Sequence, residues 1–194
     1  VTNDLDETLL TGDNMAEGTY GTAVSLDGQW LAVGANYGDG LGLNDTHNRS
    51  GSVFLYSYTD TAFSGGTLQA AIGDGFNSTN HLDLDELEVK DQFGISVSVY
   101  KGRLAVGARK DDGKDAWADN HAYGAVYLFS FNDDVSSFSG ITHEGTIGRN
   151  YTGTKDIDLG STYGTGRNVT GNYSSADPLN NGSASEGGVD LDAS

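Results

Sequence analysis

The chain contains one long stretch twice. Tyr20-Gly-Thr-Ala-Val-Ser-Leu-Asp-Gly-Gln-Trp-Leu-Ala-Val-Gly-Ala35 returns 73 residues later as Phe93-Gly-Ile-Ser-Val-Ser-Val-Tyr-Lys-Gly-Arg-Leu-Ala-Val-Gly-Ala108. At the same offset, Gly51-Ser-Val-Phe-Leu-Tyr-Ser-Tyr58 returns as Gly124-Ala-Val-Tyr-Leu-Phe-Ser-Phe131. After a shift of two residues, Phe63-Ser-Gly65 returns as Phe138-Ser-Gly140, and Ile72-Gly73 as Ile147-Gly148. A third start follows: Asp156-Ile-Asp-Leu159 echoes His81-Leu-Asp-Leu84, and Tyr163-Gly164 echoes Phe93-Gly94, before the chain runs out into Gly, Asn and Ser. Repeats of this length are single supersecondary units that bury their faces by stacking on a neighbour.

Each copy reads as four short strands. Residues 21–26 alternate apolar or small with polar and end at Asp27-Gly28, a hairpin signal. Residues 30–35 are a short apolar run suited to burial on both faces. Residues 52–58 put Val53 and Leu55 on one face and Phe54, Tyr56 and Tyr58 on the other. Residues 67–72 form a weaker fourth strand. The second copy supplies 94–99, 103–108, 125–131 and 142–147. Leu82–Lys90 comes nearest to a helical period but alternates more strictly than it cycles.

Composition agrees. The 28 acidic residues are 22 Asp and 6 Glu, set among 29 glycines. Asp and Gly favour turns where Glu favours helix surfaces, so the acidity belongs to the loops of an all-β protein. Hard cations such as Ca²⁺ suit such oxygen-rich loops; a solvated acidic surface is the plainer alternative. A net charge of −18 is repelled by phosphate backbones and argues against nucleic-acid binding. No apolar run is long enough for a membrane span. Without cysteine there is no thiolate or disulfide chemistry.

Tyr20-Gly21 with Val33-Gly-Ala35, and Phe93-Gly94 with Val106-Gly-Ala108, resemble the FG-GAP repeat, which builds the β-propeller of integrin α-subunits and of many secreted bacterial and archaeal surface proteins. The resemblance covers residues 20–72 and 93–147 and implies one four-stranded antiparallel blade per copy, in an extracellular protein. Three departures stand out. Asn36 and Arg109 replace the motif's proline. The family's Asp-rich calcium loop between its two elements is here a tight turn, Asp27-Gly28 or Lys101-Gly102, so those calcium ligands do not transfer. Two copies and a fragment cannot close a ring, since propellers need at least about four blades. The expected fold is therefore one all-β domain over 1–194. It holds two four-stranded antiparallel, blade-like sheets, stacked as a β-sandwich or paired with another molecule through open edges, and residues 148–194 are a degenerate third repeat or tail.

Candidate chemistry falls in the equivalent loops 36–50 and 109–123. Loops of this length in a compact domain are commonly functional. Asp39, Asn44 and Asp45 in the first, and Asp111, Asp112, Asp115 and Asp119 in the second, are candidate Ca²⁺ ligands; ordinary turn chemistry is the alternative. Asp83, Asp85, Glu86, Glu88 and Asp91 form a second acidic group that reads as an exposed strand face. His47, His81, His121 and His143 show no zinc spacing, and no nucleophile elbow or phosphate loop is present. Paired carboxylates abound, but nothing singles out one pair for catalysis. The stripe Phe54, Tyr56, Tyr58 and its copy Tyr127, Phe129, Phe131 reads as inter-sheet core, whereas Trp117, in an acidic loop, is a candidate glycan or partner contact. Seven sequons, at Asn44, Asn48, Asn77, Asn150, Asn168, Asn172 and Asn181, fall in expected loops and are candidate glycosylation sites.

The expected function is a non-catalytic extracellular module for structure or adhesion. One version is a subunit of a cell-surface filament or fibre that assembles with other copies through its open edges, stiffened by Ca²⁺. The other is a calcium-dependent adhesin segment among neighbouring repeats of a larger surface protein. The missing blades, together with Val1 in place of an initiator Met, favour the first; the habits of the resembled family favour the second. A secreted lectin or hydrolase using Trp117 and nearby carboxylates is the rival of a different class.

Overall fold

The computed structural model describes residues 19–39, 49–76, 79–114 and 122–159. All regular structure among them is β-strand. The first sheet carries β1 (Ala23–Asp27), β2 (Trp30–Ala35), β3 (Ser52–Ser57), β4 (Thr67–Gly73) and β5 (Leu82–Asp83), side by side in chain order. The second carries β6 (Phe93–Tyr100), β7 (Arg103–Ala108), β8 (Ala125–Phe131), β9 (Ile141–Gly148) and β10 (Ile157–Asp158), again in chain order. The strands expected from the repeat are present in both copies within a residue or two at each end. The two sheets are separate, and neither closes on itself.

The first four strands of each sheet are antiparallel, as expected. The fifth is a departure: β5 runs parallel to β4, and β10 parallel to β9, so both sheets are mixed. Its cause is local. The chain leaving β4 turns back on itself, and the Asp83 carboxylate accepts the Gly75 N–H at 2.7 Å. The Asp158 carboxylate accepts the Asn150 N–H at 2.8 Å in the second copy. That turn sets Leu82 beside Ile72 and Ile157 beside Ile147 in the same register. The third start read at Asp156–Leu159 thus has a structural counterpart. Beyond β5, Leu84 and Leu87 are buried in turns, with no helix between Leu82 and Lys90.

The hairpins show why the copies align. Lys101 and Gly102 both have positive φ, 46° and 69°, the conformation a tight two-residue turn needs between twisted strands. In the first copy the turn is Gly28-Gln29, one residue later than the Asp27-Gly28 signal, with Asp27 closing β1.

Alternation decides which side chains enter the core. In β3, Val53 and Leu55 join Trp30, Ala32, Ala70 and Ile72 on the face toward the second sheet. Phe54 and Tyr56 turn the other way and pack with Val33, Ala35, Ala71 and Phe76. In β8 the assignment is inverted: Tyr127 and Phe129, the repeat counterparts of Phe54 and Tyr56, enter the shared core with Phe93, Val99, Leu104 and Val106. Equivalent strands therefore present opposite faces to one core. The sheets stack front to back, in the same sense, like consecutive blades.

Candidate interaction faces and a buried carboxylate cluster

The contact between the sheets is made mainly by β6 lying on β1 and β2. Main-chain hydrogen bonds run from Phe93 N to Ser50 O (2.8 Å) and from Gln92 N to Arg49 O (3.1 Å). The Ser25 hydroxyl accepts the Val99 N–H at 3.0 Å, and the Asp27 carboxylate accepts the Lys101 N–H at 2.6 Å. A Cβ built on Gly34 would lie 2.0 Å from the Gly94 carbonyl oxygen, so only glycine lets the two backbones approach. At the far end, the Trp30 indole N–H donates to the Asp133 carbonyl at 2.8 Å, and its ring meets Phe131 edge-on at 4.8 Å.

Because the sheets stack in the same sense, each has one face its neighbour does not cover. Val53, on the covered face of the first sheet, is 0% exposed; its repeat counterpart Val126, on the outer face of the second, is 39% exposed. Ala105 and Leu128 are likewise half-buried where Ala32 and Leu55 are fully buried. The converse holds on the back of the first sheet. Val24 and Leu26 of β1 are 65% and 51% exposed. Their counterparts Val97 and Val99 pack into the inter-sheet core.

A buried polar cluster stands at the base of the second long loop. Asp111 Oδ2 accepts hydrogen bonds from the Tyr127 hydroxyl (2.7 Å) and the Tyr151 hydroxyl (2.9 Å), and Asp111 Oδ1 accepts the Gly113 N–H (2.8 Å). The Asp111 carbonyl accepts the Gly124 N–H at 2.8 Å, closing the loop as Gly38 O and Gly51 N close the first. Asp91 is also buried, and its carboxylate accepts the Glu88 N–H at 2.7 Å. Burial pushes the Asp91 carboxyl up to about 8, aided by the charges of Asp111, Asp112 and Glu88 and opposed by the Glu88 N–H. Burial, with the nearby Glu86, also raises Asp111, against the pull of its three donors. Both tyrosine hydroxyls are raised by burial and by the Asp111 charge. The two tyrosine hydroxyls and the Gly113 N–H tie the Asp111 side chain to β8 and to the turn at Tyr151, an internal strut at the base of the loop.

Among the candidate calcium ligands, Asp39, Asp111 and Asp112 are described. Asp39 accepts the Arg49 N–H at 2.5 Å across the mouth of the first loop. Asn44, Asp45, Asp115, Asp119 and the candidate contact Trp117 lie outside the described residues, as do six of the sequon asparagines, all but Asn150. Among the described residues no group of three or more His, Cys, Asp or Glu is arranged to hold a metal ion. Asn150 is half-buried in a turn with φ 62°. Asp83 and Asp85 are exposed, but only Asp83 is on a strand: β5 ends there and Asp85 lies in the turn beyond it, so the expected strand face does not extend over the group, and Asp91 is buried. The partnership of Asp111 with Tyr127 and Tyr151 was not visible from spacing, because Tyr151 lies 40 residues further along the chain. Of the aromatic stripe, Tyr127 and Phe129 are inter-sheet core, as expected; Phe54 and Tyr56 are buried instead on the opposite face of their sheet, because the sheets stack front to back.

A comparison with curated proteins finds no match. Among the described residues no helix is long and apolar enough to cross a membrane. A comparison with protein families matches the FG-GAP repeat at residues 5–56 and 71–129, more than half of the chain. Each matched segment contains one aromatic-glycine pair with its Val-Gly-Ala, and the second also carries β5, the strand that stitches one sheet to the next repeat. With the front-to-back stacking of its two sheets, this places the chain in the FG-GAP repeat family, a propeller-type, integrin-like kind of module usually found in extracellular proteins.

Proposed function

We propose that this chain is a non-catalytic extracellular module for structure or adhesion, which associates with further copies of itself as the subunit of a cell-surface filament or fibre. The observation that carries this reading is the pair of unmatched faces. Val126 and Leu128 on one side, and Val24 and Leu26 on the other, are apolar positions whose repeat counterparts are packed inside the same molecule. The back of one copy is built to the pattern that the front of another already accepts. Such a contact is heterologous: it leads to a ring if the rotation closes and to a filament if it does not. The uncovered faces, rather than bare strand edges alone, are the favoured route, because apolar area removed from water drives association.

The charge of −18 opposes it. Copies repel at low ionic strength, and screening or divalent cations relieve the repulsion. Calcium enters the reading here, as a counter-ion and stiffener for the acidic loops. Negative-stain electron microscopy of the concentrated protein, with calcium and with EDTA, tests the reading. Fibres or rings that shorten or disperse in EDTA support it. A field of single particles under both conditions refutes it.

A further inference from the structure

We propose that the groove on the outer face of the second sheet, lined by Gly107, Ala108, Gly124, Ala125, Val126 and Ile147, is the seat for Tyr20-Gly21 of a second copy of this chain. This rests on the association reading above and names its contact. The groove has a volume of about 420 Å³ and runs open along the sheet.

Its form is explained by what occupies the same place in the first repeat. There Phe93-Gly94 sits on Gly34, Ala35, Gly51, Ser52 and Val53. A Cβ on Gly34 or on Gly51 would stand 2.0 Å from the carbonyl oxygen of Gly94 or Phe93 respectively. A Cβ on Gly94 would meet Ser52 O, Val53 Cγ2 and Ala35 N. Moved by the repeat offset of 73, those five positions become Gly107, Ala108, Gly124, Ala125 and Val126, which all line the groove. Gly107 is informative. Its φ is not in the left-handed region, so its backbone needs no glycine. What a Cβ would meet there is led by the Ser96 side chain, with no backbone pressing on it as Gly94 presses on Gly34. A backbone docked from outside accounts for the missing side chain.

The matching half is preformed on the other side of the molecule. Gly21 has φ +89° and Gly94 has φ +87°, so Tyr20-Gly21 already holds the conformation that docks internally. No atom lies within 4 Å of a Cβ on Gly21, which leaves that side of the dipeptide open to a neighbour. The Tyr20 ring packs against Phe54 at 5.7 Å, as the Phe93 ring packs against Tyr127 at 5.4 Å. The backbone is left to face outward, continuous with the exposed Val24 and Leu26.

The absence of native cysteine allows a direct test. Ser25 and Val99 touch across the internal contact, at 3.0 Å from hydroxyl to N–H. Their counterparts in the proposed contact are Ser98 of one copy and Leu26 of the next. Ser98→Cys protein is mixed with Leu26→Cys protein under mild oxidation, over a range of concentrations. The expected result is a disulfide-linked heterodimer whose yield rises with concentration. Adding Val126→Lys to the Ser98→Cys partner should cut that yield about tenfold or more, since it forces an unpaired charge into the contact. Ser25→Cys with Val99→Cys in one chain, with and without Val126→Lys, reports that the fold and the cysteine geometry are intact. The proposal is overturned if this control closes while no heterodimer forms. It is equally overturned if Ser98→Cys closes within one chain on Val169→Cys, which would make Tyr163-Gly164 of the same chain the occupant. Assemblies seen by microscopy without the heterodimer would sink this seat and leave self-association standing; neither assemblies nor heterodimer would sink both.

Discussion

Gly34 and Gly94 meet backbone to backbone: a Cβ on Gly34 would lie 2.0 Å from the Gly94 carbonyl oxygen. Gly34 has no positive φ, so the constraint is space and not backbone conformation. Gly34→Ala must push the two sheets apart, and overpacking of this kind costs about 1–3 kcal/mol. Gly107→Ala, its repeat counterpart, meets chiefly the Ser96 hydroxyl, which lies on an exposed residue and can rotate away. Urea unfolding of the two variants at low protein concentration should show the larger loss for Gly34→Ala. Equal losses would mean that the two glycines sit in equivalent contacts within one molecule.

Trp30 anchors the far end of the same contact through Asp133, Phe131 and Phe138. Trp30→Ala removes a fully packed aromatic ring and a hydrogen bond, and such truncations cost about 3–5 kcal/mol. A fall in urea midpoint at unchanged slope is expected. A loss below about 1 kcal/mol, the scale of an ordinary surface change, would show that the inter-sheet core does not hold the fold together.

The buried carboxyls set a pH dependence of definite sign. Asp91 is held up to about 8 in the folded chain, against a value near 4 when unfolded. Below about pH 4 both states carry the proton and the stabilising contribution is whole. As pH rises from about 4 to 8 the unfolded chain releases the proton first, so stability falls through that window. Asp111, raised in the same direction, adds to the slope. The melting temperature should therefore be higher at pH 5 than at pH 8, by about 2–4 °C for each kcal/mol of linkage. Asp91→Asn keeps an acceptor for the Glu88 N–H, flattens the profile and raises stability at pH 8. A variant with the wild-type slope would show that Asp91 is not the group responsible.

Much of this arrangement is legible in the residue pattern, and the remainder has identifiable causes. The 73-residue offset foretells which strands are equivalent, and the alternation Val53, Phe54, Leu55, Tyr56 foretells that both faces of β3 have apolar work. The pattern does not say that Val53 and Tyr127 would share one core, because stacking sense is a property of two sheets together. Strands β5 and β10 are two residues long, too short for any periodicity, and exist because Asp83 and Asp158 cap a returning turn. Asp111 reads in sequence as one more loop carboxylate; its burial depends on Tyr151, which no local spacing announces.

Sedimentation velocity of the intact chain, across a wide concentration range and at low and high salt, tests the central claim most directly. The uncovered faces of the two sheets should give a sedimentation coefficient that rises with concentration, more steeply at high salt, where the charge of −18 is screened. Val126→Lys should sediment as a single small species throughout. A wild-type chain that remains one sharp 20.3 kDa species at every concentration and salt would contradict the account.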